Sequence, residues 1–281
     1  MGSNAEAVRT NKVRNQGNEH GLFRACMDQI RTAHTIGQTL RNATIAAGLL
    51  TDVKCYAELL GQFYLATSAL ERRMEELQVL ADKDEDDGLL VAKLSQKLGY
   101  SFVAGYERDL QALLGSDWKR IIQSWSTKPA QQYILRLESA SDIECIAAAF
   151  ILHGPLVIGG GAAIKPRVEK SFGVDATNVF QDVVGNARGG RSARRRDFIQ
   201  FYDTLLDNDD GKEDARFTTI VQSCGEYMQL NNEMMLAVRQ APWWRKYVAA
   251  GLIAAASALI WKVQSTEIAQ GSSTRTKLVS S

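Results

Sequence analysis

From Ile146 to Ile164 the chain reads IAAAFILHGPLVIGGGAAI, with no acidic residue, lysine or arginine and with three consecutive glycines, Gly159, Gly160 and Gly161. A stretch with no polar face has to be buried on all sides. Each glycine in a helix interior costs about 1 kcal/mol against alanine. Three together mark a place where a helix bends or where backbone approaches something flat. The run is long enough to cross a bilayer. However, His153-Gly154-Pro155 interrupts it, and Glu144 and Lys165 bracket it closely, so it reads as the core helix of a globular body.

The other apolar residues repeat at helical spacing. Phe23, Met27, Ile30 and His34 follow one another at intervals of four, three and four, and Cys55, Leu59, Phe63 and Leu70 continue the period. This predicts helix from Gly21 to about Glu76, from Leu89 to about Leu114, and a shorter helix from Trp118 to Ile134 around Lys128-Pro129. Beyond the glycines, the period returns from Phe198 through Phe201 and Leu205, and again from Ile220 to Val238. The acidic break Lys83 to Gly88 and the segment Gly185 to Arg196 (GNARGGRSARRR) read as loops between them. Alternating strands, internal repeats and a glycine fingerprint after a strand are not seen in the sequence. The expected fold class is all-α.

Few function classes survive the composition. A formal net charge of +1 over 281 residues gives no electrostatic reason for a nucleic-acid partner. Cys26, Cys55, Cys145 and Cys224 are widely separated within helical patterns, with neither redox nor metal-site spacing, and are expected as buried, reduced thiols. No nucleophile elbow and no E-x-x-H pair occurs. The start has no secretory apolar region, and Glu6 stands where a myristoylation signal needs Ser or Thr.

Histidine is where chemistry remains. His34 shares a face with apolar residues, and a histidine on one helix opposite a glycine-softened helix can hold a planar metal cofactor. Arg31, one turn earlier, is placed to pair with a ligand carboxylate, and Gln38, one turn later, to hydrogen-bond in the same site. The plainer reading is a satisfied core histidine beside a solvated arginine. For His153, a second ligand, a distal donor and a structural break before Pro155 are all open, the break being favoured. Arg188, Arg191, Arg194, Arg195 and Arg196 suit an anionic ligand group, phosphate or lipid, or else a solvated loop.

The C-terminal part has its own pattern. Tyr247 to Trp261 (YVAAGLIAAASALIW) is uncharged, flanked by Lys246 and Lys262 and bounded by tryptophans. Aromatic and basic ends favour a membrane anchor over a buried alanine-rich helix, and snorkelling lysines extend a span shorter than the usual ~20 residues. The expected organisation is a loose segment 1–20, a helical domain 21–240, a transmembrane helix 241–262 and a polar tail 263–281. The body would then face the cytosol from the endoplasmic reticulum or the mitochondrial outer membrane.

Taken in order, these segments resemble the haem oxygenases. Thr32-Ala33-His34-Thr35 is similar to that family's proximal histidine segment, and Leu60 to Glu75 to its second helix. Asp109 to Ile121 (DLQALLGSDWKRI) resembles its D-L-x-x-x-x-G-x-x-W segment. Phe150 to Gly161 resembles its kinked distal helix, with Gly159 and Gly160 as the paired glycines, and Phe198 to Leu206 (FIQFYDTLL) resembles its F-K-Q-L-Y-R segment. The resemblance implies a single multihelical domain with haem between the two helices, where it serves as substrate and prosthetic group. His34 would ligate the iron, and Arg31, Gln38 and Phe150 would line the site. Gly159 and Gly160 would form the catalytic distal wall. It implies cleavage of haem to biliverdin, carbon monoxide and ferrous iron, with oxygen and electrons from an NADPH-dependent or other reductase. The alternative is a membrane-tethered haem carrier or sensor without turnover. Departures fall on the distal side: Leu156 stands at the family's aspartate, Thr67 and Leu152 replace its supporting tyrosine and arginine, and Ile199 and Asp203 replace its basic propionate partners.

Overall fold

The computed structural model describes residues 21–46, 48–81, 88–158, 160–182, 190–206 and 213–238, with Gly251 and Ala254. The described residues are helical, without strands, as the period required. The helices are α1 (Leu22–Ala46), α2 (Val53–Ala81), α3 (Leu89–Lys97), α4 (Val103–Leu114), α5 (Trp118–Trp125), α6 (Lys128–Glu138), α7 (Asp142–Ile158), α8 (Gly160–Phe172), α9 (Asn178–Asp182), α10 (Gly190–Thr204) and α11 (Glu213–Leu236). One-turn 3₁₀ helices, Leu49–Thr51 and Val174–Ala176, link α1 to α2 and α8 to α9.

The glycine-bearing helix α7 is the axis of the molecule. Cys145 to Gly154 is buried without interruption, and α2, α3, α10 and α11 all pack on it. α11 also lies along α1. Their contact is close because Gly37 has no side chain: a Cβ there would come within 2.3 Å of Asn232 Oδ1, and Asn232 Nδ2 donates to the Ala33 carbonyl at 2.9 Å. All four cysteines are free and buried, as expected.

Helix starts are capped across the tertiary structure. The amide of Phe23 donates to Asp203 of α10 at 3.0 Å, and Gly21 leaves the space that this carboxylate occupies. Glu71 of α2 accepts from the Phe102 amide (2.6 Å) and Ser101 Oγ (2.7 Å) at the start of α4. Asp109 of α4, wholly buried, accepts from the Asn178 amide (2.5 Å), Asn178 Nδ2 (2.9 Å) and the Val179 amide (3.1 Å) at the start of α9. A carboxylate there satisfies orphan N–H donors and meets the positive end of the helix. The D-L-x-x-x-x-G-x-x-W segment thus serves architecture: Asp109 caps α9, Gly115 turns the chain at φ 76°, and Trp118 meets Tyr64 edge-on at 5.1 Å.

Four element boundaries differ from expectation, and one of them is the start of α10, which begins at Gly190 inside the segment Gly185 to Arg196 expected as a loop. The helix expected from Gly21 to Glu76 divides after Ala46, and α2 begins beyond Asp52, whose Oδ1 accepts from the amides of Lys54 and Cys55. The Leu89–Leu114 stretch divides at Gly99, φ 57°. The Trp118–Ile134 helix is two, because Thr127 caps α6 by accepting from the Ala130 amide, and Pro129, with no N–H to place, sits in its first turn. Conversely, His153-Gly154-Pro155 does not end α7, which runs on to Ile158.

Residues 1–20, most of 241–262 and 263–281 lie outside the described residues, as do Gly159 and Arg188. Among the described residues no single helix is long and apolar enough to cross a membrane.

Candidate haem site

Phe23, Met27, Ile30, His34 and Arg41 lie on one stripe of α1, since eleven residues return a helix to within ~20° of its starting face. At the base of that stripe Phe23 meets Phe150 of α7 (centroids 5.6 Å apart) and Phe198 of α10 (6.5 Å). Phe150 and Phe198 in turn pack on Tyr202, whose hydroxyl donates to the Ile146 carbonyl at 2.9 Å. This aromatic knot fixes α1, α7 and α10 to one another. Phe150, expected against a ligand, is 3% exposed and belongs to the knot.

His34 lies three turns beyond Phe23 and is exposed. Partial desolvation on the helix face, reinforced by the Arg41 charge, holds its imidazole below its ordinary value near 6.5. At neutral pH it is therefore the uncharged base that a metal requires. Arg41 is half-buried and its own value is lowered by desolvation. The sequence reading passed over it, although its spacing of seven from His34 carried the signal. Arg31 is exposed and ion-paired with Asp28, which also holds Arg24 at 3.2 Å. Gln38 is exposed.

α7 and the Ala163–Phe172 part of α8 meet at 74°. Gly160 opens α8. A Cβ on Gly161 would come within 2.9 Å of the Phe180 ring and 3.4 Å of Leu156 Cδ2, so the bend brings α8 down onto α9 at a position only glycine fits. Phe180 was not foreseen. Tyr56 stacks on Phe172 at 5.2 Å and 15°, holding the far end of α8 to α2.

The walls next to the bend are apolar. Leu152 and Val157 are buried, Leu156 and Ile158 half-buried, and Thr67 is buried in α2. His153 is neither a break nor a ligand facing solvent: it is 2% exposed, packs on Phe102 at 4.8 Å, and leaves Nε2 without a partner. Burial pushes its pKa down to about 3. Asp203, at a position where the resemblance implies a basic group, is committed to the start of α1. A hollow of about 170 Å³ between α2, α5 and α6 takes no residue from α1, α7 or α8.

Among the described residues no three His, Cys, Asp or Glu side chains gather to hold a bare metal ion. One neutral imidazole on an apolar stripe instead suits a metal that arrives with its other ligands already supplied by a macrocycle. His34 is the donor on α1 that such a group would take.

Solved structures give the architecture its name. The chain superposes with a TM-score of 0.64 and 21% identity on haem oxygenase 2 from Chlamydomonas reinhardtii, determined without haem, covering 80% of this chain and all of that one. The chain has the haem oxygenase fold. The haem complex of haem oxygenase-1 from the cyanobacterium Synechocystis matches at 0.60 and 17%, over 87% of this chain and all of that one. The haem oxygenase of Leptospira interrogans matches at 0.61 and 15%, over 77% and 98%. No family model matches the chain, and no curated protein matches it in sequence.

Proposed function

We propose that this haem oxygenase-like protein binds haem between α1 and the bent α7–α8 pair, with His34 as the iron ligand, and opens the macrocycle oxidatively. The observation that carries the reading is His34: a neutral imidazole held on the apolar face of the first helix of this fold. Bound haem supplies the iron and the oxygen chemistry, with electrons from a reductase and with biliverdin, carbon monoxide and ferrous iron as products.

The chain's own residues have defined tasks in this reading. His34 would offer Nε2 or Nδ1 to the metal, and desolvation on the helix face, with the Arg41 charge, keeps that imidazole unprotonated. Met27 and Ile30, on the same stripe, and Leu156 to Ile158 on α7 exclude water from either side. Gly160, which opens α8, and Gly159 before it in the sequence would let backbone approach the macrocycle where a side chain would collide. Anchoring by 241–262, which would tether the body to a membrane facing the cytosol, belongs to the same proposal.

A second reading, haem carriage or sensing without turnover, is favoured by the distal wall. Oxygen activation at haem needs a proton delivered to the distal side, and Leu152 and Leu156 have none to give.

Hemin titration of the full chain decides between these. A Soret band is expected with the wild type, and in His34→Ala a loss of iron ligation, read as a changed band and at least tenfold weaker binding. An unchanged spectrum in His34→Ala overturns the ligand assignment. Adding a reductase with NADPH separates the two readings: a decaying Soret band with a rising biliverdin band means turnover, whereas a persistent band means the carrier.

A further inference from the structure

Arg194 is 3% exposed, yet its Nε and Nη1 have no hydrogen-bond partner. A covered guanidinium is ordinarily paired, because desolvation disfavours the charge and each unpaired donor adds to that loss. Desolvation indeed lowers its pKa, and Tyr100 lies within electrostatic reach of it. Asp197, nearly one turn on, is exposed and leaves both nitrogens unbound.

Its position supplies the reason for keeping such a charge. α10 begins at Gly190, so Arg194 stands just past the first turn, whose amides have no partners within the helix. Helical side chains lean towards the N-terminus, so Arg194 leans towards that turn. The helix dipole makes the same end positive, and exposed Arg195 and Arg196 add to it. A covered, unsatisfied guanidinium therefore stands at the positive end of the helix.

We propose that Arg194 and the N-terminal turn of α10 form an oxyanion-binding site, for phosphate or carboxylate. A guanidinium presents paired donors matched to either group, and open amides at a helix start complete its coordination. The site adjoins the end of α7. One turn along α10, Phe198 Cζ lies 3.6 Å from where a Gly154 Cβ would be, and one turn further Tyr202 bonds the Ile146 carbonyl. The two helices run antiparallel, so Arg194 stands level with the last turn of α7 before the glycine bend. An anion bound there stiffens the end of α7 before the bend.

The oxyanion has two sources, a free phosphate or a carboxylate of the bound macrocycle, and only the second rests on the haem reading. The test uses the full chain in mild detergent, comparing wild type, Arg194→Met, Arg194→Lys and Arg195→Met. Thermal midpoints are measured with inorganic phosphate against chloride at equal ionic strength, and affinities with hemin and its dimethyl ester. For a free anion, phosphate raises the midpoint of wild type and Arg195→Met, not of Arg194→Met. For a ligand carboxylate, Arg194→Met weakens hemin at least tenfold and leaves the ester unchanged. Without any anion, Arg194→Met is as stable as wild type or more so, since it removes an unpaired charge while keeping apolar volume. Arg194→Lys, which keeps the charge without the fork, loses several-fold in affinity and reports even where Arg194→Met does not fold. Equal responses of all four proteins to phosphate and to hemin overturn the site. A wild type that responds to phosphate but binds no hemin overturns the haem reading and leaves the oxyanion site standing.

Discussion

His153 shows how much one buried titratable side chain constrains the molecule. Its imidazole is sealed against Phe102 and stays neutral with a pKa near 3. In the unfolded chain it takes up a proton below about pH 6.5. A folded pKa below the unfolded one means that the unfolded state binds the extra proton between those two values, so stability falls on acidification through that window. The slope from this one group is about 1.4 kcal/mol per pH unit. His153→Leu, of similar volume and without the Nε2 left unpartnered, should lose one proton's worth of that slope. Urea denaturation at pH 5 and pH 7.5 checks this; equal slopes in the two proteins would falsify the assignment. His34 is shifted the same way, but it is exposed, so its part in the acid response is small. At this scale the sequence was informative about residue type rather than placement. His34, on a regular stripe, was legible from spacing alone. Phe150 was assigned to ligand contact and stands in an aromatic knot, because only the packing of α1 and α10 decides what an apolar side chain of α7 touches.

At the scale of the element, the helices were legible and several of their ends were not, and the cross-caps explain why. Local stop signals such as Thr127 with Pro129 mark an end within the sequence, and that one was there to be read. Where the cap is a carboxylate from another helix, nothing nearby in the sequence marks the start. Asp203 caps α1 from 180 positions away, and Asp109 caps α9 from 69. Asp109→Ala should therefore cost about 2–3 kcal/mol, by stranding the Asn178 and Val179 amides beside an apolar core. Asp109→Asn, whose oxygen still accepts, should cost less. Chemical denaturation gives both numbers, and a loss under 0.5 kcal/mol for Asp109→Ala would rule the capping role out. The glycine run is the opposite case. Three glycines announced a bend, and α7 and α8 do diverge, while the contact of Gly161 with Phe180 could not be read because α9 reaches it from elsewhere in the chain.

For the whole molecule, an apolar core helix, a helical period throughout and ordered motif segments together implied the haem oxygenase fold, and the superposition bears that out. The expected anchor at 241–262 makes a separate prediction. The full chain should sediment with membranes and resist alkaline carbonate, and removal of 241–281 should release it. Release of the intact chain by carbonate would leave the alanine-rich segment as a packed helix.

The sequence by itself determined that the chain is helical, where its most buried helix lies and which residues share a stripe with His34. Each of these is a local property of spacing and composition. Only the tertiary structure decided that Asp203 is spent on a helix start and that His153 is sealed in the core. It alone showed that Arg194 is covered with two of its nitrogens unbonded. Whether a charged group is paired, buried or open depends on which distant helix packs against it, and that is set by how the helices come together around α7.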